Sequence, residues 1–342
     1  MPANLSPEYK AAEAAFRKAR DPHERLEHLR EMLRVIPRHK GTDHLQADLK
    51  QRIKALAEEL EGSAKGGAAR TGPALVIRPE GAAQIALIGP PNSGKSQLHA
   101  RLTGSHTHVA PYPYTTLYPV PGMMPYEDIH FQLVDLPAIS AEHPVPWLAS
   151  ALQTADGCLL VVDLSDPGCV EQFDAVHAEL RQKQVTLSAL WPTDVPASGS
   201  TDGNGSDPFA IRLPALMLAN KTDLVTDADA ERRVFCELTR APYPAMSVSA
   251  STGHGLSGIA PWLFHRLGVV RVYTKAPGKP AQKAHPFTVR TGQTIEDVAS
   301  LVHKNLAHSL KYARVWNQSG QGGQHVGREH EVHDGDVVEL HG

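Results

Sequence analysis

The sequence predicts an α/β protein whose central sheet is mostly parallel and covered by helices on both faces. Two observations carry this prediction. From residue 84 onward, short apolar runs alternate with stretches that have the composition of helices, which is typical of repeated strand–helix units. Before residue 62, apolar residues recur at spacings of three and four, which indicates helices. The length of 342 residues allows more than one domain.

Residues 1–61 are predicted to form a helical hairpin. Asp21, Pro22 and Glu24 supply a side-chain cap, a proline in the first turn and a carboxylate near the helix dipole, so a helix begins there. A second helix follows a short basic turn. The apolar positions are Leu26, Leu29, Leu33 and Ile36 in the first helix, and Leu45, Leu49, Ile53, Leu56 and Leu60 in the second. Two interpretations remain open: these stripes bury each other or the next domain, or they form a partner-binding arm.

Residues 62–81 are predicted to be a linker and lead-in, because small residues dominate their first half. The central domain follows at residues 82–269. Its expected strands are QIALIG, FQLVDL, GCLLVVDL, PALMLANK and AMSVSA, and its expected helices lie near residues 95–103, 147–155, 170–183, 227–240 and 255–267. Residues 192–210 contain turn formers and almost no large apolar side chain, so we predict a disordered, low-complexity surface insertion there.

Residues 270–342 are predicted to form a small mixed α+β unit. PFTV, ARVW and DGDVVEL are candidate strands around one helix, which is expected from about Thr294 to Asn305. Tyr312 and Trp316 could stack on nucleic-acid bases. The alternation of side chains through ARVW favours core packing for at least one of the two.

Composition excludes several classes of protein. The apolar fraction of 41% and charged fraction of 21% are close to globular averages and exclude wholesale disorder. The chain has no long apolar span, no apolar signal core at its start and only three cysteines, so we expect a soluble, cytoplasmic protein without membrane contact. Mildly basic ends flank an acidic middle, which suits contact with nucleic acid but is explained equally well by ordinary surface.

The segment GPPNSGKS, residues 89–96, matches the phosphate-binding pattern G-x-x-x-x-G-K-[ST] between an expected strand and helix. Gly89 and Gly94 let the backbone curl, so that successive N–H groups surround a β-phosphate. Lys95 would then reach the β- and γ-phosphates, and the Ser96 hydroxyl would ligate Mg²⁺. The full match in this context predicts a nucleoside triphosphate site.

A second motif selects the base. Asn220, Lys221 and Asp223 belong to an NKTD sequence that follows an apolar strand, where open α/β sheets bind ligands. A carboxylate at Asp223 accepts hydrogen bonds from the N1–H and exocyclic amine of guanine, a pair that adenine lacks. Asn220 would tether the phosphate loop, and the Lys221 stem would cover the ring. Ser249-Ala250, after the next strand, would present a backbone N–H to guanine O6.

Residues that sense the γ-phosphate are expected between the two motifs. Asp135 ends an expected strand and starts DLPA, where a carboxylate holds Mg²⁺ through water. Thr115 and Thr116 lie in YTTL, and one hydroxyl, preferably that of Thr116, would close on Mg²⁺. Ala138 would offer an N–H to the γ-phosphate. Such segments are ordered by the γ-phosphate and released on hydrolysis.

These motifs together resemble the Obg-related GTPases, and most closely their developmentally regulated GTP-binding branch. The resemblance covers the hairpin sequence GTDHLQADLKQRIKALAEEL, the series GPPNSGKS, YTTL, DLPA, NKTD and SA, and the tail. The tail sequences VYTKAPGKPA, PFTVRTGQTIEDVA, LKYARVWN and HEVHDGDVVEL resemble a TGS domain, a ubiquitin-like β-grasp module. The resemblance implies a P-loop GTPase domain preceded by a helical hairpin and followed by a TGS domain. It also implies contact with a ribosome, RNA or translation-factor partner.

Three features bear on catalysis. Relatives have glycine where this chain has Ala138, and alanine restricts a peptide flip that glycine permits. Ile139 replaces the glutamine that orients water in Ras-like enzymes, so we expect slow turnover that K⁺ or a partner stimulates. Asn92 resembles an asparagine that holds K⁺ in related GTPases, or it is a turn residue that tolerates unusual backbone angles. A nucleotide-binding adaptor with little hydrolysis is the alternative function.

The predicted site has three groups of residues. The predicted nucleotide contacts are Gly89, Pro90, Pro91, Asn92, Ser93, Gly94, Lys95, Ser96, Thr115, Thr116, Asp135, Ala138, Asn220, Lys221, Asp223, Ser249 and Ala250. The predicted Mg²⁺ ligands are Ser96, Thr116 and Asp135, with Asn92 as the candidate for K⁺. The predicted catalytic residues are Lys95, Thr116 and Asn92.

Overall fold

A computed structural model describes most of the chain in two compact units. It describes residues 6–19, 22–37, 42–64, 76–105, 117–195, 210–276, 279, 285–317 and 323–342. One unit contains the helices up to residue 64, and the other holds both sheets. Among the described residues, no helix combines the length and the apolar character needed to cross a membrane.

The helical unit contains the predicted hairpin and one helix that was not predicted. Its helices are α1 (Pro7–Lys18), α2 (Pro22–Val35) and α3 (Asp43–Ala64). Helix α1 begins at Ser6, whose Oγ accepts a hydrogen bond from the Tyr9 N–H at 3.1 Å. Tyr9 and Phe16 are buried together with Met32 and Leu49 of the hairpin. The apolar stripes of α2 and α3 therefore share their core with α1.

The central domain is built from strands and helices in alternation. Its strands are β1 (Gln84–Ile88), β2 (Val120–Tyr126), β3 (Ile129–Asp135), β4 (Gly157–Asp163), β5 (Val185–Ser188), β6 (Ile211–Asn220) and β7 (Ala245–Ser247). Its helices are α4 (Lys95–Thr103), α5 (Leu148–Gln153), α6 (Cys169–Gln182), α7 (Ala228–Thr239) and α8 (Ile259–Arg266). All five predicted strands and all five predicted helices are present, most of them with shifted ends, whereas β2 and β5 were not predicted.

The sheet of the central domain has the order β2-β3-β1-β4-β6, with β5 and β7 both beside β6. All its described pairs are parallel except that between β2 and β3. Successive side chains of β1 enter different cores, since Ile85 and Leu87 pack on one face and Ala86 and Ile88 on the other. Helices on both faces confirm the predicted fold class. They leave the carboxyl ends of the strands open for a site.

The first residues of the predicted surface insertion, 192–195, are described by the structure and differ from the prediction. Pro192–Asp194 form a 3₁₀ helix beside Trp191, which is 1% exposed and packs edge-on against Trp262 at 4.8 Å between ring centroids. An aromatic residue just before the segment thus anchors its first residues, a contact that composition alone does not reveal. Residues 196–209 lie outside the described residues.

The C-terminal part forms a second sheet, with helices against one face. Its elements are β8 (Val269–Thr274), β9 (Phe287–Arg290), α9 (Ile295–Val302), α10 (Lys304–Ser309), β10 (Tyr312–Trp316), β11 (Gln324–Val326) and β12 (Asp336–His341). The strand order is β11-β10-β12-β8-β9, with β12 and β8 parallel. This arrangement agrees with the predicted β-grasp unit. The predicted single helix is two helices, because the backbone of His303 is extended between them.

The expectation that Tyr312 or Trp316 lies in the core was wrong. Ala313 and Val315 are the residues of β10 that join the buried core. Since side chains alternate along a strand, Tyr312 and Trp316 lie on the opposite face with the exposed Arg314. The two-residue period was predicted correctly, but the opposite set of side chains faces the core, because Ala313 and Val315 are the inward residues.

Candidate nucleotide site

The phosphate loop lies between β1 and α4, where the predicted glycines are required by close backbone approaches. Gly89 has φ 152°, and a Cβ there would lie 2.4 Å from the carbonyl oxygen of Val161. Gly94 has φ 89°, and its Cβ would lie 2.3 Å from Nδ2 of Asn220. Any side chain at either position would displace a neighbouring element. The loop is thus pressed against β4 and against the residue predicted to tether it.

Asn92 occupies the exposed part of the loop, in a left-handed conformation with φ 59°. Asparagine tolerates this conformation better than most residues. The geometry therefore gives a structural reason for Asn92 that needs no ion. Next to it, buried Ser93 closes the turn by donating from Oγ to the Pro90 carbonyl oxygen at 2.9 Å.

Lys95 lies at the start of α4 with its ammonium group turned into the loop. Its Nζ donates to the carbonyl oxygen of Pro90 at 2.8 Å, and the residue is 6% exposed. Burial lowers the pKa of Lys95 to about 8, and the charge of Asp135 opposes part of this effect. A buried cation that is held by one carbonyl group is well placed to turn toward a polyphosphate.

Ser96 and Asp135 form the part of the site that fits Mg²⁺. The Ser96 Oγ donates to Oδ2 of Asp135 at 2.6 Å, and Asp135 is fully buried at the end of β3. A hydroxyl and a carboxylate are oxygen ligands of the kind that Mg²⁺ prefers, and Mg²⁺ is usually held by one or two such groups plus phosphates and waters. These two residues would hold the ion, which would neutralise phosphate charge.

The segment after Asp135 is docked on the phosphate loop. The Ile139 N–H donates to the Gly89 carbonyl oxygen at 3.0 Å, and Leu136 N–H donates to Leu87 at 3.2 Å. Ala138 is 8% exposed and Ile139 is 3% exposed. A buried aliphatic side chain at position 139 cannot orient a water molecule. Thr115 and Thr116, predicted to sense the γ-phosphate, lie outside the described residues.

Asn220 joins the phosphate loop to the segment after β7. Its Nδ2 donates to the carbonyl oxygen of Ser93 at 2.9 Å, while its Oδ1 accepts from the Ala250 N–H at 3.1 Å. Asn220 is fully buried, so both bonds form in a dry environment. One amide thus connects the phosphate-binding and base-binding motifs, as the sequence predicted for its contact with the loop.

Asp223 and Ser249 come together at the rim of the site. The Ser249 Oγ donates to Oδ1 of Asp223 at 2.5 Å, and Ser249 is fully buried while Asp223 is exposed. The carboxylate is therefore oriented by the protein yet accessible to a base. The Ser249 N–H donates to His254 and the Ala250 N–H to Asn220. In this geometry, the Ser249 and Ala250 N–H groups both donate to acceptors of the protein. The sequence had predicted that a backbone N–H of these residues donates to guanine O6.

Asp163 is a residue of the site that the sequence reasoning missed. Its Oδ2 accepts from Lys221 Nζ at 2.6 Å, and its Oδ1 accepts from the Ser165 N–H and Oγ at 2.9 and 2.6 Å. Lys221 itself has φ 62°, a left-handed conformation that turns the chain after β6. Asp163 ends the apolar strand β4 as Asp135 ends β3, and this parallel could have identified it. The pair fixes the lysine stem beside the position predicted for the base.

Comparisons with known proteins agree with these motifs. The profile of the 50S ribosome-binding GTPase family matches residues 84–190, and the TGS domain profile matches residues 270–341. GTP-binding protein 1 of Schizosaccharomyces pombe is 27% identical, over 93% of this chain and 98% of its own length. Developmentally-regulated G-protein 2 of Arabidopsis thaliana is 26% identical, over 93% of this chain and 90% of its own.

A solved structure supports the fold. The YchF GTPase of Schizosaccharomyces pombe matches 78% of this chain and 100% of its own, with a TM-score of 0.53 and 13% identity. At this identity the likeness concerns the fold alone. The two profiles and the sequence relatives agree on the domains of this chain. It has a P-loop GTPase domain followed by a C-terminal TGS domain, and its relatives along most of its length include developmentally regulated GTP-binding proteins.

Proposed function

We propose that this protein is a Mg²⁺-dependent GTPase that acts as a nucleotide-dependent switch. The observation that carries the proposal is the double hydrogen bond of buried Asn220, which ties Ser93 of the phosphate loop to Ala250 beside the base motif. A phosphate-binding loop and a guanine-reading carboxylate are useful together only if one ligand contacts both. Asn220 sets the distance between them.

The residues divide into two sets of roles. Asp223 accepts hydrogen bonds from guanine, and Ser249 and Asp163 hold Asp223 and Lys221 in place for the base. The phosphate set comprises the loop N–H groups of residues 89–94 and Lys95. Ser96, Asp135 and Thr116 would hold Mg²⁺, which supplies charge neutralisation at the β- and γ-phosphates when bound.

We expect intrinsic hydrolysis to be slow. Ile139 is buried and aliphatic, so the chain offers no side chain there to position a water molecule. Asn92 is the candidate K⁺ ligand, since its exposed side chain lies on the phosphate loop. An ion there would neutralise charge between phosphates as an arginine finger does. The left-handed backbone of Asn92 is an alternative reason for its presence.

The partner proposed for the switch is a ribosome, an RNA or a translation factor, which implies a cytoplasmic role. The description of the matching family as 50S ribosome-binding GTPases supports this proposal. The face of the C-terminal sheet opposite its helices presents Tyr312, Arg314 and Trp316, a mixture of aromatic and basic side chains that suits RNA. The helical hairpin is the second proposed contact.

The alternative is an adaptor that binds GTP and hardly hydrolyses it. The buried Ala138 and Ile139, docked on the phosphate loop through the bond to Gly89, favour this reading. If that segment stays docked when triphosphate binds, the protein would recognise nucleotide without completing a catalytic site.

The test is GTP hydrolysis by purified protein in KCl and in NaCl, with a parallel GDP titration. Asn92→Gly accepts the left-handed backbone but removes the side-chain oxygen, whereas Asn92→Asp retains an oxygen ligand. K⁺-selective turnover that is lost in Asn92→Gly and kept in Asn92→Asp supports the ion. Equal turnover in both salts would reject Asn92 as a K⁺ ligand and would leave the GTPase activity supported. GDP binding without turnover in either salt favours the adaptor, and absence of guanine nucleotide binding refutes the proposal.

A further inference from the structure

The two phosphate-sensing segments are joined by one β-hairpin. Strands β2 and β3 pair along seven residues, from Val120 opposite Asp135 to Tyr126 opposite Ile129. Strand β2 begins four residues after Thr116, and β3 ends at Asp135. The hairpin therefore connects both segments, through paired strands, to its turn at residues 127–128.

Strand β2 lies at the edge of its sheet and rests on the helix that follows the phosphate loop. The strand order places β2 outermost, next to β3. A Cβ at Gly122 would lie 2.7 Å from Nε2 of His99 on α4, so strand and helix are in direct contact. An edge strand has one ladder of hydrogen bonds to hold it, and it moves more easily than an inner strand.

The TGS domain holds the turn of this hairpin. Asp128 accepts from Arg271 Nη1 at 3.0 Å and from the Tyr273 hydroxyl at 2.5 Å, and Arg271 also pairs with Glu127. Arg271 and Tyr273 lie on β8, the first strand of the TGS sheet. Glu127 has φ 49°, so the turn presents both carboxylates to β8 in a left-handed bend.

Within the TGS domain, Asp334 holds the Arg271 side chain in place. Its Nε and Nη2 donate to the two oxygens of Asp334 at 3.0 and 2.7 Å, and its backbone N–H donates to Asp334 Oδ1 at 2.8 Å. A bidentate pair holds the guanidinium plane in one orientation. The remaining Nη1 therefore points at the turn. The three carboxylates raise the pKa of Arg271 above its usual range, through the Asp334 hydrogen bonds first.

Apolar contacts support the same junction. The Arg271 guanidinium lies 5.0 Å from the ring centroid of Phe264, on the last helix of the central domain. Tyr126, the last residue of β2, lies 5.4 Å from the same ring. The side chain of Arg271 is 15% exposed, so its charge pairs are partly shielded from water and worth more than surface pairs.

We propose that the β2–β3 hairpin couples the nucleotide site to the TGS domain, with the Asp128–Arg271–Tyr273 contact as the coupling point. The inference rests on the proposed GTP-binding function and adds its regulation. If GTP and GDP favour different positions of the hairpin, they favour different strengths of the contact with β8. The coupling is reciprocal. The factor by which the two nucleotides differ in their effect on the contact is also the factor by which breaking the contact changes the ratio of their affinities.

The test compares affinities for GDP and for a non-hydrolysable GTP analogue, with Mg²⁺, in the full chain. Asp128→Asn removes the charge with little change of shape, and Tyr273→Phe removes one hydroxyl. Glu296→Gln, an exposed carboxylate on α9, is the matched control. We expect Asp128→Asn to change the ratio of the two affinities by about fivefold or more. Tyr273→Phe should change it less in the same direction, and the control should leave it within twofold.

Amide hydrogen exchange distinguishes coupling from a contact that only stabilises the fold, because only coupling makes the exchange depend on the bound nucleotide. In the wild type, protection of residues 269–274 should differ between the GDP and analogue complexes, and this difference should disappear in Asp128→Asn. If Asp128→Asn fails to fold, Tyr273→Phe carries both measurements. Unchanged ratios together with nucleotide-independent exchange in β8 would overturn the coupling. Failure of the wild type to bind either nucleotide would instead refute the proposed function.

Discussion

The base-binding half and the phosphate-binding half of the site differ in how they use their polar groups. In the base half, Ser249 orients Asp223 and Asp163 orients Lys221, so protein partners already hold the groups that would read the base. In the phosphate half, Lys95 is turned onto the Pro90 carbonyl and Ser96 onto Asp135. Those groups must exchange a protein partner for the ligand.

This difference assigns recognition of the nucleotide to the base half and discrimination between its phosphate states to the phosphate half. A preorganised base pocket loses little conformational entropy on binding, so it supplies affinity and selectivity. A phosphate pocket that must rearrange can distinguish one phosphate state from another, because the exchange of partners depends on the charge that arrives. The following variants test this division, beginning with the largest expected effect.

Lys95→Ala should reduce GTP hydrolysis by about 10²- to 10³-fold, the usual cost of one donor to a developing phosphate charge. The cause is loss of the buried ammonium group at the start of α4. Single-turnover hydrolysis with saturating enzyme measures the effect, and Lys311→Ala, an exposed lysine, is the control. A decrease below tenfold would place the main phosphate contact elsewhere.

Asp223→Asn should weaken GDP binding by about 10- to 100-fold, because hydrogen bonds to a charged group contribute about 1.5–3 kcal/mol. Binding of xanthosine diphosphate should improve at the same time, since its 2-carbonyl accepts from the new amide. Calorimetric titration of both nucleotides measures the exchange. Asp227→Asn is the matched control, because asparagine can replace aspartate as the cap of α7. Equal loss for both nucleotides would mean that Asp223 acts through folding.

The sequence predicted the local motifs of both halves better than the contacts that join distant strands, for a physical reason. Glycines at 89 and 94 and the residues of NKTD are tied to local backbone geometry, so their spacing predicts their positions. Asp163 was missed because its role depends on a contact between strands far apart in sequence. The use of the Ala250 N–H by Asn220 depends on the same kind of contact.

The prediction of the fold shows the same difference between features set by the local sequence and features set by distant contacts. Long apolar runs predicted the inner strands, and the edge strand β2 was missed because VPGMMPY contains two prolines and a glycine that suit an edge. Helix α1 was missed although Ser6-Pro7-Glu8 gives a helix start like that at Asp21. Its face has few large apolar residues, and its burial of Tyr9 depends on the hairpin.

The affinity for GDP should fall about fourfold between pH 7 and pH 8.5, because the pKa of Lys95 near 8 lets it lose the charge that phosphate needs. Lys95→Arg stays charged and should show a flatter profile, which corrects for titration of guanine. The same titration changes the stability of the fold in the opposite direction to the affinity for GDP. Between about pH 8 and the ordinary pKa of 10.5, Lys95 binds fewer protons in the folded protein than in the unfolded chain. The contribution of Lys95 to the free energy of unfolding therefore rises with pH in this range.

Ala138→Gly tests whether the docked segment after Asp135 limits the phosphate half. Glycine permits a peptide flip that alanine restricts, at a cost of about 0.5–1 kcal/mol in backbone entropy, so the expected change is only about two- to fivefold. We expect the affinity for a GTP analogue to rise relative to GDP, because residue 138 could then turn its N–H toward the γ-phosphate. Ala241→Gly, in the loop after α7, controls for general loosening of the chain. If the ratio stays constant while hydrolysis is also unchanged, Ala138 is not the constraint. The bond from Ile139 to Gly89 would then be the contact that keeps the phosphate half closed.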